Sequence, residues 1–142
     1  MLESIVHEIV LPHPPGKVWR ALTESAALGR WLMPNDFEPR LGHAFTFRTD
    51  PQPPLFDGIV HCVVTELEEP RRLAYSWRGG PLEDTLVTYL LTPEGDGTRL
   101  RLEHSGFDTS KPEVAFTKQI LEQGWTQAKF AERLNQVVAG LE

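Results

Sequence analysis

Apolar and polar residues alternate with a period of two over residues 43–106, and this alternation predicts β-strands. In two of the segments every second residue is apolar and the residues between are polar. This pattern is typical of antiparallel strands with one buried and one solvent-exposed face. Turns rich in proline and glycine separate the segments, and one further strand is predicted before them. The six predicted strands cover residues 4–11, 44–49, 58–67, 72–78, 85–92 and 99–105.

Two short segments after the first strand have the spacing of helices. Residues 17–22 follow the proline cluster 12–15 and predict one short helix. Thr23 is expected to cap a second helix over residues 24–31, because a threonine hydroxyl can accept a hydrogen bond from the first turn.

The C-terminal segment also has a helical period. Ser110 and Glu113 fit a capping box at its start. Gly124 lies inside the segment and costs about 1 kcal/mol relative to alanine in a helix. We therefore expect a break or a close backbone contact at Gly124, with a shorter helix before it and a long helix after it as one option. The apolar stripe of this segment comprises Leu121, Trp125, Ala128, Leu134, Val138 and Leu141.

The order of these elements predicts an α+β fold. A six-stranded antiparallel sheet with one apolar face can bury that face by curling around the C-terminal helix, while the two short helices close one end. Residues 1–142 are expected to form a single domain. A curved sheet and a helix do not fill all the volume between them, so a cavity is expected in this architecture.

Composition narrows the class of protein. A net charge of −6, with scattered arginines, argues against a general nucleic-acid binder. No apolar run approaches about 18 residues and the N-terminus lacks a basic segment before an apolar run, so we expect neither a membrane span nor export by a standard signal. The lone Cys62 excludes an internal disulfide and a cysteine-clustered metal site, and the cytoplasm is the simplest compartment.

Polar residues on the apolar faces of predicted strands are the first candidate site residues. His7, Tyr75 and His104 share their parity with apolar neighbours, and so does His61 on a strand that is apolar on both faces. A buried polar group without a partner costs about 1–3 kcal/mol, so each must meet another residue, the backbone, water or a ligand. Two interpretations stay open: the groups are satisfied within the core, or they face a cavity and orient a mostly apolar ligand.

Aromatic residues would form the walls of such a cavity, although aromatic residues at apolar positions can equally be ordinary core. The expected wall residues are Trp31, Phe45, Phe47, Trp77 and Trp125.

The sequence offers little for metal or nucleophilic chemistry. The five histidines include no closely spaced pair, so no metal and no cofactor are expected. Ser105 and His104 are adjacent on a strand and therefore point to opposite sides. Acid–base assistance by His104 or Tyr75 is the remaining route to catalysis, and no second catalytic partner stands out, so no catalytic residue is assigned.

Four motifs, in the same order and spacing, resemble the START-like helix-grip superfamily, and specifically its branch similar to the activator of the heat-shock-protein-90 ATPase. The proline-rich segment 51–54 departs from the pattern of that branch. The motifs are PPGKVWRALT with LGRW (residues 14–23 and 28–31), EPRRLAYSW (69–77), EGDGTRL with LEHSGF (94–100 and 102–107), and GW (124–125) with Leu134 and Leu141.

The resemblance implies a helix-grip fold with an interior pocket for an apolar small molecule, of roughly a few hundred Å³. The superfamily includes lipid and hormone carriers, polyketide aromatase/cyclases and chaperone cofactors, and a shared fold does not transfer function. The leading hypothesis is a non-enzymatic binding protein for a lipid-like or aromatic molecule. The alternatives are an aromatase/cyclase-like or hydrolytic enzyme that uses the same pocket, and an interaction module with a protein partner such as a chaperone. A monomer and a homodimer are both compatible with the sequence.

Overall fold

One antiparallel sheet of six strands forms the framework of the protein, seen here in a computed structural model that describes residues 2–54 and 56–141. The strands are β1 (Leu2–Leu11), β2 (Ala44–Arg48), β3 (Ile59–Glu68), β4 (Arg72–Gly79), β5 (Leu82–Glu94) and β6 (Gly97–Asp108). The helices are α1 (Pro15–Thr23), α2 (Ser25–Trp31), α3 (Pro112–Gly124) and α4 (Gln127–Ala139).

The strand order in the sheet is β1-β6-β5-β4-β3-β2. Five consecutive strands form a meander, and β1 pairs with its last strand, so β1 and β2 are the two edges. Helix α4 contacts β1 and both short helices, which places the hydrophobic core between these helices and the inner face of the sheet. The predicted α+β class and six-stranded antiparallel sheet are confirmed. No helix in the described part of the chain is long and apolar enough to cross a membrane.

The predicted helix caps are wrong. Thr23 is the last residue of α1, where its hydroxyl donates to the Trp19 carbonyl at 2.8 Å, and Glu24 occupies the N-cap of α2. Ser110 donates to the Asp108 carboxylate instead of capping α3, whose N-cap is Lys111. Short side chains of this kind compete for nearby backbone and side-chain groups, so their capping role depends on where the helix begins.

The break expected at Gly124 is present. Helix α3 ends there, and Thr126 caps α4 by accepting from the Lys129 amide at 3.2 Å. Both helices have 13 residues, so the second is not the longer one. The break resets the helical phase, and Ala128 of the predicted stripe is exposed while Phe130 is buried.

Strand β6 contains a β-bulge at Gly106. Glu3 pairs with Phe107 and Ser4 pairs with Ser105, so one residue of β6 is inserted between these pairs, and its φ is +95°. Because the bulge reverses the alternation, His104 and Phe107 both face the interior although they are three positions apart. Their ring centroids lie 4.6 Å from each other.

Replacement of Gly106 by alanine is expected to lower the free energy of unfolding by about 2 kcal/mol. The cost has two parts, because alanine is strained in a left-handed backbone conformation and its β-carbon would clash with a neighbouring strand. A β-carbon at this position would lie 2.8 Å from the Asp84 carbonyl oxygen. Gly42 is the matched control, since its φ is +81° and a β-carbon there meets nothing within 4 Å. Gly42→Ala should therefore cost only the conformational part, about 1 kcal/mol. Equal costs in urea denaturation would contradict the clash at the bulge.

Candidate functional site

An inner cavity of about 90 Å³ lies between the sheet and helices α2, α3 and α4. It is smaller than the few hundred Å³ expected from the sequence, and smaller than an engineered cavity of about 150 Å³ that holds benzene. The lining is almost entirely apolar and aromatic. It comprises Ile5, His7, Trp31, Leu32, Met33, Trp77, Val87, Tyr89, Leu102, His104, Leu121, Trp125 and Phe130.

An outer groove of about 540 Å³ adjoins the inner cavity. The two share four lining residues, which are Met33, Trp77, Leu121 and Trp125. The groove runs between α3, residues 49–52 with Phe56, and the β4–β5 turn, and it adds polar groups from Thr49, Asp50, Gln52 and Thr117. A molecule longer than the inner cavity can therefore extend into the groove.

Trp31 is the central aromatic residue of the cavity wall. Its ring meets those of Tyr89 and Trp125 edge-on, with centroid distances of 6.4 and 6.2 Å, and lies 5.6 Å from Phe130. The indole N–H donates to the Ala21 carbonyl at 2.9 Å. This bond fixes the ring between α1 and the cavity, because a buried indole nitrogen needs an acceptor.

Tyr89 and Tyr75 form a buried pair behind the cavity. Their hydroxyl oxygens are 2.8 Å apart, and burial raises the pKa of both phenols above the ordinary value. Both therefore stay protonated at neutral pH. Tyr89 lines the inner cavity and Tyr75 does not.

His104 is the more deeply buried of the two histidines in the lining. Its Nε2 lies 2.9 Å from the Thr85 hydroxyl, which donates to the Trp77 carbonyl at 2.6 Å. The imidazole ring packs between Trp77 and Phe107, at centroid distances of 5.3 and 4.6 Å. Burial lowers the pKa of His104 from 6.5 to about 3, so the ring is neutral at pH 7.

The nine residues singled out in the sequence fall into three groups. Five line the inner cavity, and they are His7, Trp31, Trp77, His104 and Trp125. Phe45, Phe47 and Tyr75 are buried beside the cavity without lining it, with the Phe45 and Tyr75 centroids 5.2 Å apart. His61 lies elsewhere, because the inward residues of β3 are Val60, Cys62 and Val64, which leaves His61 exposed on the outer face.

Sequence reasoning missed several lining residues, above all Tyr89 and Phe130. Tyr89 shares its parity with Val87 and Leu91, a signal that could have placed it on the inner face. Phe130 fits the helical spacing of the buried residues within α4. That spacing can be recognised only once the break after Gly124 is known.

The groups considered for catalysis are separated in the structure. Tyr75 is fully buried behind Tyr89, so His104 is the only one of the two residues considered for acid–base assistance that reaches the cavity. Burial raises the pKa of the Cys62 thiol above its ordinary value, which keeps it protonated. Within residues 2–54 and 56–141, no group of three or more His, Cys, Asp and Glu side chains is arranged to hold a metal ion.

A six-stranded antiparallel sheet, four helices and a cavity between them define a helix-grip domain of the START-like class, which is a class of ligand-binding domains. The family model described as "Activator of Hsp90 ATPase homolog 1-like protein" matches residues 12–139. The chain belongs to this family, as its motifs had indicated.

Solved structures of similar proteins agree with this assignment. Protein MLL2253 from Mesorhizobium loti is 34% identical over 99% of both chains, with a TM-score of 0.83. Protein BH1534 from Bacillus halodurans is 31% identical over 96% of both chains, with a TM-score of 0.75. The Aha1 dimer from Colwellia psychrerythraea shares the fold at 19% identity, over 94% of this chain and 98% of that one, with a TM-score of 0.71. No protein with a curated description matches the chain.

Proposed function

We propose that the protein binds an apolar small molecule in the inner cavity, with the outer groove receiving any part that extends beyond it. The observation that carries this proposal is the lining itself, in which aromatic and aliphatic side chains surround a space whose titratable groups are His7, Tyr89 and His104. Pockets that combine apolar walls with a few placed polar groups are typical of small-molecule sites. Burial of ligand surface there is favourable by about 25 cal/mol per Å² of apolar area.

Helix α3 is the part of the wall that is best suited to admit a ligand. Val114 is its one buried residue among those described, whereas α4 has four. Leu121 lines both the cavity and the groove, and Ile120 on the same helix is 49% exposed. Elements with few buried apolar contacts open at low free-energy cost, so outward movement of α3 would join the two spaces.

A blocked cavity tests the proposal. Leu121→Trp should fill the space between cavity and groove and abolish stabilisation by toluene or naphthalene. Gln119→Trp, two positions away on the exposed side of α3, should leave that stabilisation unchanged. For the unmodified chain, a ligand at 100 times its Kd is expected to add about 2.7 kcal/mol of stability, measured as a rise in Tm.

Two outcomes would contradict the cavity as the binding site. One is the absence of stabilisation by every apolar probe, and the other is equal stabilisation of both tryptophan variants. Circular dichroism of both variants shows whether the fold is intact before binding is measured.

Several finer expectations stay predictions. A cytoplasmic location is supported by the single buried cysteine, which is suited to a reducing compartment. A protein partner, whether a chaperone or a second copy of this chain, and catalysis in the cavity are hypotheses that ligand binding does not require.

A further inference from the structure

The inner cavity offers an unusual set of polar groups to a ligand. Neither the cavity nor the groove has a lysine or arginine among its lining residues in the part of the chain that is described, and the groove contributes the Asp50 carboxylate. A ligand carboxylate would therefore lose its hydration without gaining a lysine or arginine partner, and burial of an unpaired charge is strongly unfavourable. This composition favours a neutral ligand.

Hydrogen-bond donors and acceptors around His104 determine which ring nitrogen carries the proton. The Thr85 hydroxyl has one hydrogen, and it donates this hydrogen to the Trp77 carbonyl, which can only accept. The Thr85 oxygen must then accept from Nε2 of His104, 2.9 Å away. Nε2 is protonated, and in a neutral imidazole Nδ1 is consequently an unprotonated acceptor.

Nδ1 of His104 is an unpaired acceptor on a ring that lines the cavity. Every fully buried side-chain nitrogen and oxygen of residues 2–54 and 56–141 has a hydrogen-bond partner. None of the hydrogen bonds found for these residues involves Nδ1 of His104, so this atom is accessible, and the ring that carries it lines the inner cavity. His104 as a whole is only 9% exposed, which makes Nδ1 an acceptor inside a largely apolar space.

We propose that His104 Nδ1 accepts a hydrogen bond from the ligand, so that the cavity selects a neutral, compact aromatic or alicyclic group bearing a hydroxyl or N–H donor. This inference rests on the proposed binding of an apolar molecule in the cavity and specifies its chemistry. Thr85 is a positioning residue: it does not line the inner cavity, and it acts by holding the proton on Nε2.

Phenol and toluene are the matched probes, since a hydroxyl replaces a methyl group of similar size. In a cavity without an acceptor, toluene binds more tightly because the phenol hydroxyl is left unpaired. In this protein phenol is expected to bind at least as tightly as toluene, as measured by calorimetry at pH 7. Benzoate, which carries the charge, is expected to bind at least about tenfold more weakly than phenol.

Two variants separate the role of His104 from general apolar binding. In His104→Phe the ratio of the toluene Kd to the phenol Kd should fall at least about fivefold, which corresponds to about 1 kcal/mol. In Thr85→Val the ratio should also fall, because Nε2 loses its acceptor and the other tautomer becomes accessible.

Long-range ¹H–¹⁵N correlation spectra of the unmodified chain report the tautomer directly. We expect a protonated Nε2 and an unprotonated Nδ1 on His104, with the Nδ1 resonance shifting when phenol is added and not when toluene is added. A protonated Nδ1, tighter binding of toluene than of phenol, or benzoate binding as tight as that of phenol would overturn the inference while leaving apolar binding intact. If neither phenol nor toluene binds, the proposed function fails and the inference fails with it.

Discussion

Replacement of Trp31 by alanine is expected to lower the free energy of unfolding by about 4 kcal/mol. This value lies within the range for truncating a buried phenylalanine or tryptophan to alanine. Trp31 is 2% exposed and packs against Tyr89, Trp125 and Phe130, so its removal leaves a void where α2, α4 and β5 meet. The Ala21 carbonyl also loses the indole N–H that it accepts. Urea denaturation monitored by circular dichroism measures the change as a lower midpoint at similar m-value.

Two further variants show how much of this loss comes from the indole hydrogen bond and how much depends on the depth of the residue in the cavity wall. Trp31→Phe keeps most of the ring contacts and loses the N–H, so it should cost about 1–3 kcal/mol. Trp125→Ala should cost less than half as much as Trp31→Ala, because Trp125 is half-buried and stacks with Arg133 at 5.2 Å near the surface. If Trp125→Ala proved as costly as Trp31→Ala, the distinction between a deeply buried and a half-buried wall residue would be wrong.

Strand faces could be predicted where alternation is clean. In β4, Leu73, Tyr75 and Trp77 share a parity and are all buried, as the pattern indicated. In β3 both parities are apolar, and the sequence could not say that Val60 rather than His61 faces inward. The difference arises from pairing with β2 and β4, which depends on contacts that are distant along the chain.

Depth within the core could not be predicted from parity. Phe45 and Trp77 both lie on inward faces, yet Phe45 packs against Phe37 at 5.0 Å and is sealed off, while Trp77 borders the cavity. Alternation shows which face of a sheet a residue occupies. Whether that part of the face meets another side chain or an empty space is decided by how the helices are placed over it.

For His104, too, the sequence predicted the face of the sheet but not the surroundings of the side chain. Its inward orientation follows from its parity with Leu100 and Leu102, and the sequence indicated it. Its acceptor Thr85 lies on the neighbouring strand, 19 positions away, and becomes a partner only through the β5–β6 register. The polar residue was predictable, whereas the hydrogen bond that determines its chemistry was not.

Acidification is expected to destabilise the protein from about pH 6.5 downward because of His104. The folded protein holds the pKa of this group at about 3, whereas the unfolded chain has the ordinary value of 6.5. Between these values the unfolded state binds more protons, so stability is complete above about pH 6.5 and falls as the pH decreases toward 3. The expected slope approaches about 1.4 kcal/mol per pH unit, which gives a loss of about 2–3 kcal/mol between pH 7 and pH 4.5.

Matched glutamine variants assign this pH dependence to one residue. His104→Gln cannot titrate and keeps an N–H donor for Thr85, so its free energy of unfolding should change much less between pH 7 and pH 4.5. His61→Gln removes an exposed histidine from the outer face and should retain the full slope. Carboxylates with lowered pKa values, such as those of Asp36 and Asp108, become protonated at lower pH and contribute mainly below pH 4.5. A slope that persists in His104→Gln would mean that another group controls acid stability.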